Sequence, residues 1–307
     1  MPRWLRITLV VVVLLIVAIG GAYWWYLGDG DPPANLPAYS FDIAAVRAKA
    51  DELPGGKATD IRVETVATGN PPATFAVAGD GFNGAPIGAF SYQVILPADI
   101  IVIDTAFAPK QAPASLFGNY DADAEARMDA GLGEATEIVV THEHADHIGG
   151  LADFYKKVPD IATAIRLTKE QAADVDPQLK DEATAFADIT PIEYDQYLAI
   201  APGVVLIKAP GHTPGSQMIY VKREDGRELL FVGDIAWLMR NIDTGRGKPR
   251  AVSEVLLHED RNAVFAELAT LRALHAAEPG LLLVPGHDLG AVQALIASGA
   301  MVQGFKL

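Results

Sequence analysis

Residues 141–150 read Thr-His-Glu-His-Ala-Asp-His-Ile-Gly-Gly, which puts three of the chain's seven histidines and an aspartate within six positions. Residues two apart cannot share a helix face, but they project together from a strand end or a loop. His142 and His144 can therefore converge on one point, while Asp146 and His147, where the backbone turns toward a helix, can reach a second. Imidazole and carboxylate are ligands that zinc and similar divalent ions accept. The bland alternative is a loop of surface histidines; the intervening Asp and the following Gly-Gly count against it. Gly149-Gly150 also lets backbone and helix approach closely.

Three further candidates each follow an apolar, strand-like run and sit in a tight turn. His212 lies in Ala-Pro-Gly-His-Thr-Pro-Gly-Ser, Asp234 ends Leu-Leu-Phe-Val-Gly-Asp, and His287 lies in Leu-Leu-Leu-Val-Pro-Gly-His-Asp. Alone, each reads as readily as an ordinary turn residue. Together with 142–147 they read as a metal site delivered by strand ends. His258, ahead of a helix, and His275, near its end, read as non-ligands; a cation near a helix C-terminus suits the dipole. The chain has no cysteine. Disulfides, thiol nucleophiles and thiolate ligands are excluded, so any metal must be held by His, Asp, Glu or backbone oxygen. No Gly-x-Ser-x-Gly motif supplies a serine nucleophile.

Strand-like runs at 61–66, 74–78, 91–96 and 100–104 open the body of the chain, separated by Gly, Pro and Asn. A helix is expected over 121–130, a buried strand over 137–141, a helix over 148–157, a short strand over 161–165 and a helical stretch from Thr168. Strands follow at 204–209, 217–222 and 228–233, then a helix at 259–276, a strand at 281–284 and a helix at 289–298. Strands interleaved with helices predict a layered α/β domain with sheets inside and helices outside. The loops around 80–86, 107–120 and 237–250 are expected to shape a pocket.

The 307 residues carry a formal net charge of −15, with 50% hydrophobic and 21% charged residues, a globular composition. Arg240, Arg246, Lys248 and Arg250 are a small local cluster, not the basic stripe of a nucleic-acid binder, so no nucleic-acid partner is expected.

From Ile7 to Gly28 there are 22 uncharged residues, long enough as a helix to cross the roughly 30 Å hydrocarbon core. Arg3 and Arg6 precede this run; Asp29 and Asp31 follow it. The positive residues place the N-terminus in the cytoplasm and the rest outside. Tyr23 to Tyr26 and Trp4 sit where interfacial aromatic belts occur. A cleavable signal peptide cut near Ala18 or Gly20 is the alternative, and a buried core helix a third reading. The domain is thus expected in the periplasm or cell exterior, anchored to the inner membrane or secreted. Residues 1–28 form the anchor or signal, 29–58 a linker and short helix (helical spacing over 42–53), and 59–307 the catalytic domain.

The His-x-His-x-Asp-His motif at 142–147, Gly-His-Thr-Pro-Gly at 211–215, Gly-Asp at 233–234 and Pro-Gly-His at 285–287 resemble the metallo-β-lactamase fold superfamily. The similarity covers roughly residues 60–307 and implies an α/β (α+β) four-layer αββα sandwich with the site at one edge of two sheets. Carried onto this sequence, it implies that His142, His144 and His212 hold one metal and Asp146, His147 and His287 a second, with Asp234 bridging. The metals would be two divalent ions, zinc first, manganese or iron as alternatives. Asp104 would orient a histidine ligand by hydrogen bond. The implied function is hydrolysis, by a metal-activated water, of a carboxylic ester, lactone or thioester, a small-molecule substrate, with Asp146 or Asp234 moving the proton. Phosphodiester or organophosphate hydrolysis is the next reading, then β-lactam hydrolysis; a di-iron redox protein or a non-catalytic metal-binding module ranks lower. The spacings are most similar to the lactonase and glyoxalase II-like branches. Two departures stand out. Trp237 replaces the tyrosine that many lactonases carry three residues after the bridging Asp, so an apolar pocket wall is expected there, and no C-terminal basic motif for a glutathione substrate is present.

Overall fold

The computed structural model describes residues 2–109, 116–173 and 186–307. Helix α1 (Arg3–Tyr23) continues as a wider turn through Gly28; its residues are exposed, and the segment Arg3–Gly28 is long and apolar enough to cross a membrane, with mean hydropathy 2.6. Helix α2 (Ile43–Ala50), capped by Asp42, follows. Then come β1 (Asp60–Gly69), α3 (Ala73–Ala76), β2 (Ile87–Ile95), β3 (Ile100–Ile103), β4 (Asn119–Tyr120), α4 (Ala122–Gly133), β5 (Glu137–Val139), α5 (Ala145–Lys157) and α6 (Lys169–Ala173). The C-terminal half adds β6 (Tyr197–Ala201), β7 (Val204–Lys208), β8 (Gln217–Lys222), β9 (Glu228–Gly233), α7 (Met239–Thr244), α8 (Arg261–Ala277), β10 (Leu281–Pro285), α9 (Leu289–Ala297) and β11 (Val302–Gln303).

Two sheets form. One runs β11-β1-β2-β3-β5 with β4 on β1; the other runs β10-β9-β8-β7-β6. Because side chains alternate along a strand, each sheet has two faces to cover. Ile61, Val63, Tyr92, Val94 and Ile103 from the first sheet meet Leu206, Ile219, Val221 and Phe231 from the second in a shared apolar layer. On the first sheet's outer face, Val102, Ile138 and Val140 are covered by Met128 and Leu132 of α4 and Ile148 and Leu151 of α5. On the second sheet's outer face, Ile207, Tyr220, Leu230 and Leu283 are covered by α2 and by Phe265, Leu268 and Leu271 of α8. The result is helix, sheet, sheet, helix.

Two expected strands are corrected. Residues 73–76 form α3 rather than a strand, because Pro71-Pro72 fixes the approach and Pro72 starts a helical turn. Pro159 likewise opens a 3-10 turn at Pro159–Thr163, leaving Ile165 only an isolated bridge to Ile138. Of the helical stretch from Thr168, α6 is described and its continuation lies outside the described residues, as does part of the 107–120 loop. The short β6 (Tyr-Leu-Ala-Ile-Ala) and the two-residue β4 and β11 were not anticipated from the sequence.

The stretch following α1 lies against the domain. Leu36, Tyr39 and Phe41 pack on the second sheet's outer core, and Arg47 of α2 pairs with Glu228 at 2.6 Å and Glu278 at 2.9 Å.

Both sheets end at one edge. β3 and β5 are parallel in the first, β9 and β10 parallel in the second, so four strand C-termini face the same way. There the sheets are stitched: Gln217 N–H donates to Thr141 O at 2.8 Å, and Gly88 N–H to His287 O at 3.0 Å.

Candidate metal centre

Asp104 follows β3 with φ +54°, a left-handed conformation that costs a non-glycine residue about 1 kcal/mol or more. That turn aims its carboxylate across at the end of β5, where Thr141 N–H donates to Oδ1 at 2.6 Å and Thr141 Oγ1 donates to Oδ2 at 2.9 Å. β5 then releases His142, and α5 begins at Ala145, so Asp146 and His147 occupy its first turn. Helix α5 presses on the turn after β3 at Gly150, where a Cβ would meet Thr105 O at 2.2 Å; only glycine fits. At the other sheet, Asp234 follows β9 directly and His287 lies two residues past β10. A Cβ on Gly286 would meet Asp234 Oδ1 at 2.2 Å, so that glycine lets the two turns touch. His212 occupies the turn between β7 and β8, held by Glu143, which accepts from Thr213 Oγ1 at 2.8 Å and Gly215 N–H at 3.2 Å.

All seven residues of the expected ligand set converge. Asp234 stands at the centre, 3% exposed, with its two oxygens facing opposite ways. Oδ1 lies 3.4 Å from His147 Nε2 and 3.2 Å from His287 Nε2. Oδ2 lies 3.5 Å from His212 Nε2 and 3.9 Å from His142 Nε2. His144 Nδ1 is 2.9 Å from His212 Nε2, and Asp146 Oδ2 is 3.3 Å from His287 Nε2. His142, His144, His212 and Asp234 make one group of potential ligand atoms; His147, Asp234 and His287 make another, with Asp146 grouped with His142 and His147.

Four of the imidazoles share one design. Each Nδ1 is tied to the protein and each Nε2 turns inward. His147 Nδ1–H donates to Asp104 Oδ2 at 2.9 Å. His287 Nδ1–H donates to Gly88 O at 2.9 Å, His212 Nδ1–H to Glu259 Oε1 at 2.6 Å, and His142 Nδ1 sits 3.1 Å from Thr141 Oγ1. Holding the outer nitrogen fixes the tautomer that leaves the inner lone pair free for a metal.

These atoms fit a metal better than they fit one another. Tetrahedral zinc with bonds of about 2.0–2.1 Å sets its ligand atoms about 3.3 Å apart, close to most of the spacings above. His142 Nε2 and Asp234 Oδ1 are buried with no hydrogen-bond partner, a costly arrangement unless another group satisfies them. The electrostatics agree. Burial, then the imidazoles of His147 and His212, hold His142 well below the usual histidine range, the neutral form that ligates. Burial opposes a charge on His287, but Asp234 and Asp146 outweigh it and push it up to about 9. Positive charge is wanted between these carboxylates, and a cation supplies it as a proton would.

Three residues escaped the sequence reading. Glu143 braces the His212 turn. Glu259 and Lys248 are both 1% exposed at the side chain and paired at 2.6 Å, and Lys248 Nζ also donates to Asp234 O at 2.6 Å. The signal was faint but present: a lysine in an otherwise surface-like basic cluster, and a glutamate beside a histidine set aside as a non-ligand. His258 itself is exposed with φ +56°, and His275 is exposed on α8; neither joins the cluster. Trp237 departs from the expected apolar wall. It is 5% exposed, and its Nε1–H donates to Asp234 Oδ2 at 2.6 Å. It serves the shared carboxylate directly.

Residues 86–287 match the metallo-beta-lactamase superfamily. A probable metallo-hydrolase of Mycobacterium tuberculosis is 31% identical over 246 residues, covering 67% of this chain and 77% of that protein. Among solved structures, a quorum-quenching N-acyl homoserine lactone lactonase aligns with a TM-score of 0.60 at 16% identity, over 78% of this chain and 97% of its own. A dizinc quorum-quenching lactonase aligns with a TM-score of 0.52 at 17% identity, over 76% of this chain and 90% of its own. With the histidine and aspartate cluster at the shared sheet edge, the chain belongs to the metallo-β-lactamase superfamily and is a metal-dependent hydrolase.

Proposed function

We propose that the chain binds two divalent metals, zinc foremost, and hydrolyses a carboxylic ester, lactone or thioester. The observation that carries this reading is the set of four anchored imidazoles whose inner nitrogens surround the two faces of Asp234. His142, His144 and His212 would hold one ion through the Oδ2 side of Asp234; Asp146, His147 and His287 would hold the other through Oδ1. When bound, such a pair supplies a nucleophilic water near neutral pH and an electrophile for the substrate oxygen.

The chain's own residues divide the remaining work. Asp234 is buried and its Oδ2 accepts from Trp237, so it is committed to holding the centre together. Asp146 is the ligand carboxylate that reaches solvent, 22% exposed against 3% for Asp234. It is the group placed to carry a proton to a departing alkoxide, a poor leaving group that gains from protonation. Glu259 and Asp104 keep His212 and His147 aligned during turnover. The lactonases among the structural neighbours support a lactone or ester substrate over a β-lactam. The test is a hydrolysis screen of lactones, aryl esters, thioesters, phosphodiesters and β-lactams, with metal content measured on the same sample. Lactone or ester turnover exceeding all others supports the reading; faster hydrolysis of penicillins or carbapenems than of every lactone and ester overturns it.

Helix α1 is read as a membrane anchor with Arg3 and Arg6 on the cytoplasmic side and the domain in the periplasm or cell exterior. Protease added to spheroplasts should digest the domain while a cytosolic control survives.

A further inference from the structure

The foot of α1 is built into the catalytic domain. Leu27 O accepts from Gly79 N–H at 3.1 Å and from Thr74 Oγ1 at 3.2 Å; Gly28 O accepts from Arg246 Nη2 at 3.0 Å. The Asp29 carboxylate accepts from Arg250 Nε at 2.9 Å, and Asp29 O from Arg261 Nη2 at 2.6 Å. A Cβ on Gly30 would meet Ala78 Cβ at 2.5 Å, so there is no slack at this junction. The basic cluster noted in the sequence thus ties the apolar helix to two loops of the domain.

Those loops carry apolar side chains into solvent beside the helix foot. Phe82, 61% exposed, meets the ring of Tyr23 at 6.4 Å between centroids. Arg250 lies over Trp25 at 4.1 Å, and the turn that follows it exposes Val255 and Leu256 at 60% and 63%. With Trp24 and Tyr26 these make an exposed apolar and aromatic collar at one end of the helix. Such a patch marks an apolar partner, and Trp and Tyr are the side chains that prefer the membrane–water interface. The 26 residues from Arg3 to Gly28 span about 39 Å at 1.5 Å each, against a hydrocarbon core of about 30 Å. The collar then falls in the interfacial layer.

Ala85 and Pro86 beyond the first loop, Leu238 and Arg240 at the start of α7, and Asp288 and Leu289 at the start of α9 line a groove of about 240 Å³. Leu238 follows Trp237 and Asp288 follows His287 in the chain, so two of the groove's lining residues lie one position from residues of the metal cluster's surroundings. Its lip is the Arg240–Asp80 ion pair, two residues from Phe82. The volume lies below the roughly 300–1,000 Å³ usual for enclosed ligand sites, which suits a single chain lying along the groove rather than a bulky ring system.

We infer that the collar of Phe82, Val255, Leu256 and the helix-foot aromatics sits in the bilayer interface, and that the groove takes the acyl chain of an amphiphilic ester or lactone directly from that layer. The substrate half rests on the proposed ester or lactone hydrolysis; the collar half rests on the packing and on the proposed membrane anchoring of α1.

The full chain in phospholipid nanodiscs tests both halves. Because the sequence has no cysteine, Phe82→Cys, Leu256→Cys and, at the far end of the β8–β9 hairpin, Asp225→Cys each carry one polarity-sensitive fluorophore. Labels at 82 and 256 should shift to the blue and be quenched at least twofold by spin-labelled lipid, with the label at 225 unchanged. Labels at 82 and 256 that behave like the one at 225 overturn the collar. So does cross-linking between copies at 256 without lipid quenching, which assigns the patch to a second copy of the chain. For the substrate half, the double variant Phe82→Asp with Leu256→Asp should keep butanoyl-lactone hydrolysis within twofold. Its turnover of a dodecanoyl lactone carried in the disc should fall at least tenfold. Equal effects on both substrates overturn uptake from the bilayer. Wild type that hydrolyses neither contradicts the proposed lactone and ester substrate class and with it the substrate half, while the labels still decide the collar.

Discussion

Replacing Glu259 with glutamine separates metal positioning from stability. Glu259 Oε1 takes His212 Nδ1–H and Lys248 Nζ, each at 2.6 Å, with both partners buried. Burial pushes its carboxyl up, but Lys248 and His212 outweigh that and hold it below the usual carboxylate range, so it is an anion in the fold. Glutamine keeps the shape and an acceptor oxygen and loses the charge. A charge-assisted hydrogen bond contributes about 1.5–3 kcal/mol against about 0.5–1.5 for a neutral one. The His212 anchor should therefore weaken by about 1–2 kcal/mol, and metal affinity by about 10- to 100-fold, the usual effect of removing such a support. Lys248 is meanwhile left as a buried unpaired cation, which costs about 3–5 kcal/mol of stability. At about 2–4 °C per kcal/mol for a domain of this size, Tm should fall by roughly 6–20 °C. Adding Lys248→Met removes the stranded cation, so the double variant should recover much of the Tm yet keep the weakened metal affinity. Competition with a chromophoric chelator and thermal scans read both quantities. Affinity within threefold of wild type and Tm within about 2 °C would refute this role for Glu259.

Other outcomes follow from single contacts. Trp237→Phe keeps the ring and removes the donor to Asp234 Oδ2; metal affinity or turnover should fall about tenfold or more, and unchanged values of both would return Trp237 to a packing role. Gly150→Ala forces a methyl against Thr105 O and should cost about 1–3 kcal/mol by overpacking, read as a lower denaturation midpoint. His258→Ala should leave metal content unchanged, since that side chain lies apart from the cluster. Glu267 has a buried Oε2 without a partner, and burial, then Glu259, pushes its carboxyl up to about 8 from 4.5. Between those values the folded chain keeps the proton and the unfolded chain releases it, so stability falls as pH rises, by up to about 1.4 kcal/mol per unit. Glu267→Gln removes that slope. Its Tm advantage over wild type should widen from pH 5 to pH 8 and level off above; a constant gap would contradict the assignment.

The residues of the candidate metal cluster were legible because His142, His212, Asp234 and His287 each follow an apolar run, and His144, Asp146 and His147 crowd beside the first of them. Strands β8 and β9 were likewise legible to the residue, being apolar and bounded by turns. What the sequence hid was partnership across distance. Nothing local in Glu259 or Lys248 tells that they are buried together under His212 and Asp234. Trp237 reads as apolar until its indole nitrogen is placed beside a carboxylate. The basic cluster at 240–250 reads as a solvated surface until the foot of α1 is found docked on it. Residues 73–76 and 161–165 misled for the opposite reason: their short apolar stretches are neutral between helix and strand, and the prolines before them decide.

The central claim is a pair of metals sharing Asp234. The most direct measurement is metal stoichiometry by mass spectrometry on fully active full-length chain, repeated on Asp234→Ser with turnover measured on the same samples. The account predicts two ions per chain in the wild type, with loss of bound metal and about a hundredfold loss of ester or lactone turnover in the variant. One ion or fewer in fully active wild type, or two ions and undiminished turnover in Asp234→Ser, would contradict it.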